Sequence, residues 1–314
     1  MTDKILVMGD IHLSDRPPSS CTDTYLDDLF DLLAQTVQKA YDQKADAVVW
    51  AGDVFHLKQP SRTTHRTVQR AIEIVQAYPV PLYIVPGNHD VVMDRIASLE
   101  GQPLGVLFKA GAKLLQGWAD DLPLYGVPWL QFWDDETVSE ALREFSEQEA
   151  PGLVVTHAPL YPPGFELPYE YYPTSKWAEA MEGKGFCYYG HVHEAHGIYD
   201  VGGVTFCNHG ALSRGSLHEH NLKREISVTL WTAKGFERIP LDYKPAEEVF
   251  RLVEAEESKE AQVKLDDFLA SVGQAKIEIT SVEAVLDYIR QLGLGDALVS
   301  TVEELLAEVS KEGK

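Results

Sequence analysis

The stretch Ile5-Leu6-Val7-Met8-Gly9-Asp10-Ile11-His12 sets four apolar residues directly before a glycine and two polar side chains. A run of this length without alternation suits a strand buried on both faces of a mixed α/β sheet. The Asp-X-His that follows sits where such a strand delivers residues to its carboxyl end. The same arrangement recurs along the chain. Ala47 to Trp50 leads to Gly52-Asp53, Leu82 to Val85 to Gly87-Asn88-His89-Asp90, Leu153 to Thr156 to His157, and Phe186 to Tyr189 to Gly190-His191-Val192-His193. Another apolar run, Leu124 to Val127, carries no such tail. Because the carboxyl ends of neighbouring strands in an α/β sheet open on one crevice, five scattered segments are expected to form one site.

The intervals predict helices. Leu26, Leu29, Leu32, Leu33, Val37 and Ala40 keep helical spacing behind a Thr22 or Asp23 cap, and a second helix is expected from Ser61, behind Pro60. After Val204 the pattern turns antiparallel, with Ile226 to Leu230 and Phe236 to Ile239 joined through Lys234-Gly235. A boundary is expected near Tyr243-Lys244-Pro245, giving a domain over 1–245 and an acidic, α-rich appendage over 246–314. The first carries 20 basic and 33 acidic residues (net −13), the second 7 and 16 (net −9), which together make the −22 of the whole chain. In the appendage a helix is expected from Ala246, a strand over Lys276 to Thr280, and helices from Val282 and Val302.

Composition narrows the function classes. With 314 residues, 45% hydrophobic and 24% charged, the chain reads as folded rather than fibrous or disordered. The net charge of −22 argues against a generally basic, nucleic-acid-wrapping surface. The three cysteines, Cys21, Cys187 and Cys207, form no CxxC pair, so the expected setting is a reducing cytoplasm rather than a disulfide framework. No apolar run approaches a membrane span, so no membrane role is expected.

The polar segments supply Asp, His and Asn and no thiolate, a donor set suited to Mn²⁺, Fe²⁺ or Zn²⁺ and to a pair of ions rather than one structural zinc. A shared carboxylate such as Asp53 can bridge ions roughly 3.5 to 4 Å apart, a spacing at which they clamp a displaced phosphoryl group. Six of the eleven histidines, His12, His56, His89, His157, His191 and His193, lie in or beside these segments. His65, His196, His209, His218 and His220 have no such context and are expected at the surface or in loops.

In this order, Asp10-X-His12, Gly52-Asp53, Gly87-Asn88-His89-Asp90, His157 and Gly190-His191-X-His193 resemble the signature of calcineurin-like metallophosphoesterases across residues 4–240. The resemblance implies a four-layer α/β/β/α sandwich and two divalent ions, Mn²⁺ foremost with Fe²⁺ or Zn²⁺ as alternatives. It implies Asp10, His12, Asp53 and His193 as ligands of the first ion, and Asp53, Asn88, His157 and His191 as ligands of the second. His89 matches the family histidine that protonates the leaving oxygen, with a carboxylate such as Asp53 or Asp90 poising it. Gly52-Asp53-Val54-Phe55-His56, followed by Pro60-Ser61, resembles the SbcD-type DNA repair nucleases, in which a histidine three residues past the bridging aspartate assists the transition state; His56 holds that position. The stretch Asn208 to Ser216 is similar to a Gly-Ser-rich stretch of the same nucleases, with His209 in place of their usual proline.

What this implies is a phosphodiester hydrolase of the nuclease type, exonuclease or endonuclease, with DNA as substrate, an SMC-like ATPase of the SbcC type as partner and a homodimer as one expected assembly. A phosphoesterase for nucleotides or small diesters is the enzymatic alternative, and a noncatalytic metal-binding scaffold the alternative of another class. Two further features bear on DNA. Arg62, Arg66 and Arg70 recur on one helix face as a phosphate rail or a solvated face, and Tyr161, Phe165, Tyr169, Tyr171 and Tyr172 sit in a proline-rich loop as base-stacking or packing residues.

Overall fold

The computed structural model of the chain describes residues 3–56, 63–93, 95–149, 151–164 and 171–252. Its strands in chain order are β1 (Ile5–Met8), β2 (Ala47–Trp50), β3 (Leu82–Ile84), β4 (Lys113–Leu114), β5 (Gly117–Trp118), β6 (Leu124–Val127) and β7 (Leu153–His157). They continue with β8 (Leu160–Tyr161), β9 (Tyr172–Pro173), β10 (Phe186–Gly190), β11 (Gly197–Val201), β12 (Val204–Asn208), β13 (Ser227–Thr232) and β14 (Gly235–Pro240). The helices are α1 (Tyr25–Gln43), α2 (His65–Ala77), α3 (Pro103–Lys109), α4 (Asp135–Ser146), α5 (Thr174–Ala180), α6 (Glu219–Lys223) and α7 (Ala246–Val249).

Two six-stranded sheets, ordered β14-β13-β1-β2-β3-β4 and β11-β12-β10-β7-β6-β5, pack face to face. β1, β2, β3 and β4 run parallel in the first, and β12, β10, β7 and β6 run parallel in the second. Between the sheets, Ile5, Val7, Ala47, Val49, Leu153, Val155, Tyr188 and Trp231 form a common core. On the far side of the second sheet, Val138, Leu142 and Phe145 of α4 and Trp177 of α5 pack with Val154, Tyr189 and Phe206. The far side of the first sheet carries Trp50, which donates from Nε1 to the Tyr78 hydroxyl at 3.3 Å; that hydroxyl lies 2.5 Å from Thr36 of α1. The layers are therefore α/β/β/α. Every residue of β1, β2, β3, β6 and β7 is buried, which explains their unbroken apolar runs.

Several element boundaries differ from expectation. The first helix starts after Thr24 rather than Thr22 or Asp23. The second starts at His65, not Ser61, because Thr64 provides the cap: its side chain accepts from Thr67 N at 3.4 Å, while Asp15 accepts from the Thr64 amide at 2.5 Å and hydroxyl at 2.7 Å. β4, β5, β8 and β9 are two residues long and leave no periodicity to read.

The chain divides into two units after Phe250, a few residues past Pro245. Val249 and Phe250 are buried, Thr22 N donates to the Val249 carbonyl at 2.9 Å, and Cys21 bridges Phe250, so these residues close the first unit. The strand and helices expected over Lys276 to Thr280 and from Val282 and Val302 lie outside the described residues. Among the described residues, no helix is long and apolar enough to cross a membrane.

Candidate metal centre

The loops leaving β1 and β2 are tied to each other by backbone. Asp10 N donates to Gly52 O at 3.1 Å, His12 N to Asp53 O at 2.9 Å, Leu13 N to Val54 O at 2.9 Å and His56 N to Leu13 O at 2.9 Å. Asp90, wholly buried, secures the third loop by accepting from Gly87 N at 2.9 Å and Val54 N at 3.1 Å. In the second sheet Gly190 pairs with His157 across β10 and β7, setting His191 and His193 just beyond His157. Thus both sheets deliver their polar ends to one place.

The turns are sharp. Asp10, His12, Asp53 and His191 all have positive φ, at 55°, 52°, 49° and 79°. Non-glycine residues reach this region at a cost of order 1–3 kcal/mol, and such strain concentrates where side-chain direction matters. At Gly52, φ is 90° and a Cβ would run into the His157 ring; at Gly87 it would collide with Asp53 Oδ1. These glycines let ligand side chains approach neighbouring backbone.

The predicted residues converge. Asp10, His12 and His193 form one group and Asp53, His157 and His191 another, with one candidate ligand atom from each residue within 4.8 Å of the others in its group. Asp53 Oδ2 reaches towards both, 3.6 Å from His12 Nε2 and 3.3 Å from His157 Nε2. Asn88 Oδ1 lies 3.2 Å from His157 Nε2 and 3.1 Å from His191 Nδ1, completing the second group. His157 donates from Nδ1 to the Ala51 carbonyl at 2.8 Å, which leaves Nε2 for the site. His56 and His89 stack beside the first group, ring centroids 5.3 Å apart.

His89 differs from expectation in its orienting partner. Among the described residues no carboxylate hydrogen-bonds its ring: Nδ1 donates to the His56 carbonyl at 2.7 Å, while Asp53 accepts from the His89 backbone N–H at 2.9 Å. Asp90 spends its oxygens on backbone amides. The free ring nitrogen of His89 is accordingly Nε2, and His89 lines the cleft.

Electrostatics follow from burial. It pushes Asp10 up to about 7, with His157 pulling against it and Asp53 adding to it. It would raise Asp53 also, but the His157 and His12 imidazoles hold that carboxyl well below the usual range. Burial opposes charge on His157, yet Asp53 outweighs it and lifts the ring to about 9. His12, His191 and His193 are pushed down by burial, the latter two to about 3 and 4, so at neutral pH they present lone pairs. Nε2 of His12 and His193 face each other at 3.0 Å.

This donor set fits cations. The cleft of about 220 Å³ is lined by His12, Asp53, Asn88, His89, His191, Ser213 and neighbours, and among the described residues neither lysine nor arginine lines it. His157, lifted to about 9, is the one cationic ring among these ligands, while Asp10, His12, His191 and His193 offer carboxylate oxygens and neutral nitrogens. Divalent ions would engage these donors and supply the positive charge that a phosphate needs.

Residues given no individual role from sequence support the site from behind. Asn208 donates to the Tyr189 and Val192 carbonyls at 3.1 and 3.0 Å and accepts from Gly210 N at 2.7 Å, holding the loop of His191 and His193. Ser213 donates from Oγ to the Asp10 carbonyl at 2.8 Å, and buried Arg224 donates to the Ser213 carbonyl at 2.8 Å. Trp129 sets its ring 4.9 Å from His191 and 6.2 Å from His157.

Other expectations are refined. His209 lies in the loop just past β12, as expected, but it is buried rather than at the surface, 2.6 Å from Thr229 Oγ1. His196 lies in a loop, as expected, half-buried and 2.7 Å from the Tyr189 hydroxyl. Arg70 is no phosphate rail, since it pairs with Asp27 at 2.6 Å and lies 3.9 Å over the Phe30 ring. Arg66 is exposed, and Arg62 lies outside the described residues. Tyr161 and Tyr172 are buried, Tyr172 donating to Asp135 at 3.0 Å, so both pack rather than offer faces to bases; Phe165 and Tyr169 lie outside the described residues.

Comparison with known proteins agrees with this geometry. The family model for calcineurin-like phosphoesterases matches residues 3–195, more than half of the chain. The chain belongs to that family. This metallophosphoesterase is 26% identical over 204 residues to the DNA double-strand break repair protein Mre11 of Archaeoglobus fulgidus, covering 58% of this chain and 44% of the relative. It is 22% identical over 201 residues to the Mre11 of Saccharolobus solfataricus, covering 60% and 49%. The chain spans about half the length of the curated relatives it matches. A dimetal phosphatase from Danio rerio shares the fold, with a TM-score of 0.51, 13% identity, and coverage of 77% of this chain and 99% of that one.

Proposed function

We propose that this metallophosphoesterase hydrolyses phosphodiesters with two divalent ions, Mn²⁺ foremost, and that its substrate is DNA, as for an SbcD- or Mre11-type nuclease. The observation that carries the reading is Asp53, whose Oδ2 lies within 3.6 Å of one imidazole from each donor group. Asp10, His12, Asp53 and His193 would hold the first ion, and Asp53, Asn88, His157 and His191 the second. Such a pair, when bound, lowers the pKa of water and neutralises charge on the nonbridging phosphoryl oxygens.

The chain's own residues do the rest. The His56 carbonyl fixes Nδ1 of His89 as a donor, so the proton that His89 passes to the departing oxygen leaves from Nε2. The hydrogen bond from the His89 amide to Asp53 Oδ1 sets the acid in register with the carboxylate between the two groups. His56, stacked on His89, steadies charge beside it. Asp90 keeps the loops after β2 and β3 at fixed spacing, so acid and ligands approach one phosphate together.

DNA as substrate is supported by the named Mre11 relatives and by the Gly52 to His56 and Asn208 to Ser216 segments. A partner ATPase of the SbcC type and a homodimer belong to the same proposal, with the acidic residues after Phe250 as the docking or capping segment. Turnover of labelled duplex DNA, single-stranded DNA and a small chromogenic diester, run side by side with Mn²⁺, tests it. Cleavage of the DNAs is the expected outcome. Turnover of the small diester alone would instead favour a nucleotide or small-diester phosphoesterase, and no turnover at all would favour a noncatalytic scaffold.

A further inference from the structure

His12 faces two different groups with its two nitrogens. Nε2 points to the carboxylate-bearing cluster, 3.0 Å from His193 Nε2 and 3.6 Å from Asp53 Oδ2. Nδ1 points away from it, 3.4 Å from Nδ1 of His56. A ligating histidine ordinarily sets its second nitrogen against a carbonyl or carboxylate that accepts its proton. Here that place is held by another imidazole. His89 completes the cluster, its ring 5.0 Å from that of His12 and 5.3 Å from that of His56. One ring nitrogen from each of His12, His56 and His89 lies within 4.8 Å of the others.

We propose that His12, His56 and His89 form an auxiliary cation site, joined to the first carboxylate-bearing group through His12, that takes a borderline ion such as Zn²⁺ and silences the enzyme when filled. Three imidazoles with no carboxylate suit Zn²⁺ or Cu²⁺, whereas the Asp-containing groups also suit Mn²⁺. The site is open to ions from solvent, since His56 is exposed and His56 and His89 both line the cleft. An ion there engages the one ring nitrogen of His89 not committed to the His56 carbonyl, which is the nitrogen assigned to protonation. His12 is shared between the catalytic and auxiliary groups, so filling the auxiliary site also draws on a ligand of the first ion. The enzyme would thereby respond in opposite senses to Mn²⁺ and to excess Zn²⁺.

The test is zinc uptake by the full chain without substrate, so its outcome does not depend on the proposed reaction. Protein saturated with Mn²⁺ and freed of excess is titrated with zinc chloride, and both metals are counted by elemental analysis after desalting. Wild type is expected to take up zinc that His56→Ala and His89→Ala each fail to take up. His65→Ala, at an exposed histidine elsewhere, should behave as wild type. Circular dichroism and manganese content of each variant establish that it is folded and still holds the catalytic pair. A second pair of variants, His56→Asn and His89→Asn, serves if the alanines fail that check. Equal zinc uptake by wild type and both folded variants overturns the auxiliary site, as does zinc uptake matched only by manganese release in all of them.

Discussion

Asp53 is the residue that approaches both donor groups, with its Oδ2 near His12 and His157 and its Oδ1 accepting from the His89 amide. Asp53→Asn keeps the shape but removes the charge that a shared ligand needs, so metal content and activity should fall together, read by elemental analysis and turnover on the same sample. Two ions retained with full activity would contradict the bridging role. His89 should separate from the ligands: His89→Asn is expected to slow turnover by about 10² to 10⁴ with both ions retained. The loss should shrink for a nitrophenolate leaving group, whose oxygen needs little protonation. An equal loss on good and poor leaving groups would reject a role as acid, and a lost ion would make His89 a ligand.

At the scale of elements, the end of β12 and its neighbour β13 carry a pH dependence readable from His209. Burial pushes this imidazole down to about 4, so the folded chain holds it neutral while the unfolded chain protonates it near 6.5. Between those values the unfolded state binds more protons. Stability is therefore complete above about 6.5 and is lost as pH falls toward 4, by roughly 2 kcal/mol at pH 5 for this group alone. Thermal melting of wild type and His209→Gln between pH 7 and 5 checks this, with the variant expected to lose less on acidification. The α1–α2 contact offers a contrast: Arg70→Ala removes a partly exposed ion pair with Asp27 and the packing on Phe30, and should cost about 1 kcal/mol with no change in metal content.

For the molecule as a whole, the division after Phe250 sets where a truncation should begin. Ending the chain at Leu252 keeps the buried Val249 and Phe250 and the bond from Thr22 to Val249, so the truncated protein should fold and still turn over a small diester. Cleavage of long DNA or binding of a partner ATPase should weaken. Unchanged behaviour on all three measures would show the acidic segment to be dispensable, and an unfolded product by circular dichroism would move the boundary. Ending at Pro245 should instead destabilise the core, because it deletes the residues that close it over Cys21 and Thr22.

The strands and their polar ends were legible in the sequence for a physical reason. A strand covered on both faces needs unbroken apolar residues, so any polar residue at its carboxyl end stands out, and Asp10, Asp53, Asn88, His157 and His191 could be named from that contrast alone. Sequence also exposed the donor chemistry, since Asp, His and Asn without thiolate limit the ions that suit them. What it could not carry was partnership through space. That His89 leans on a backbone carbonyl, that Asp90 serves amides rather than a histidine, that Arg70 faces Phe30 and that His209 is core are outcomes of packing. A carbonyl acceptor has no side-chain signature, and burial of a lone histidine depends on which strand lies opposite. Residue type and spacing determined which groups were available, whereas only the meeting of two sheets decided which of them touch.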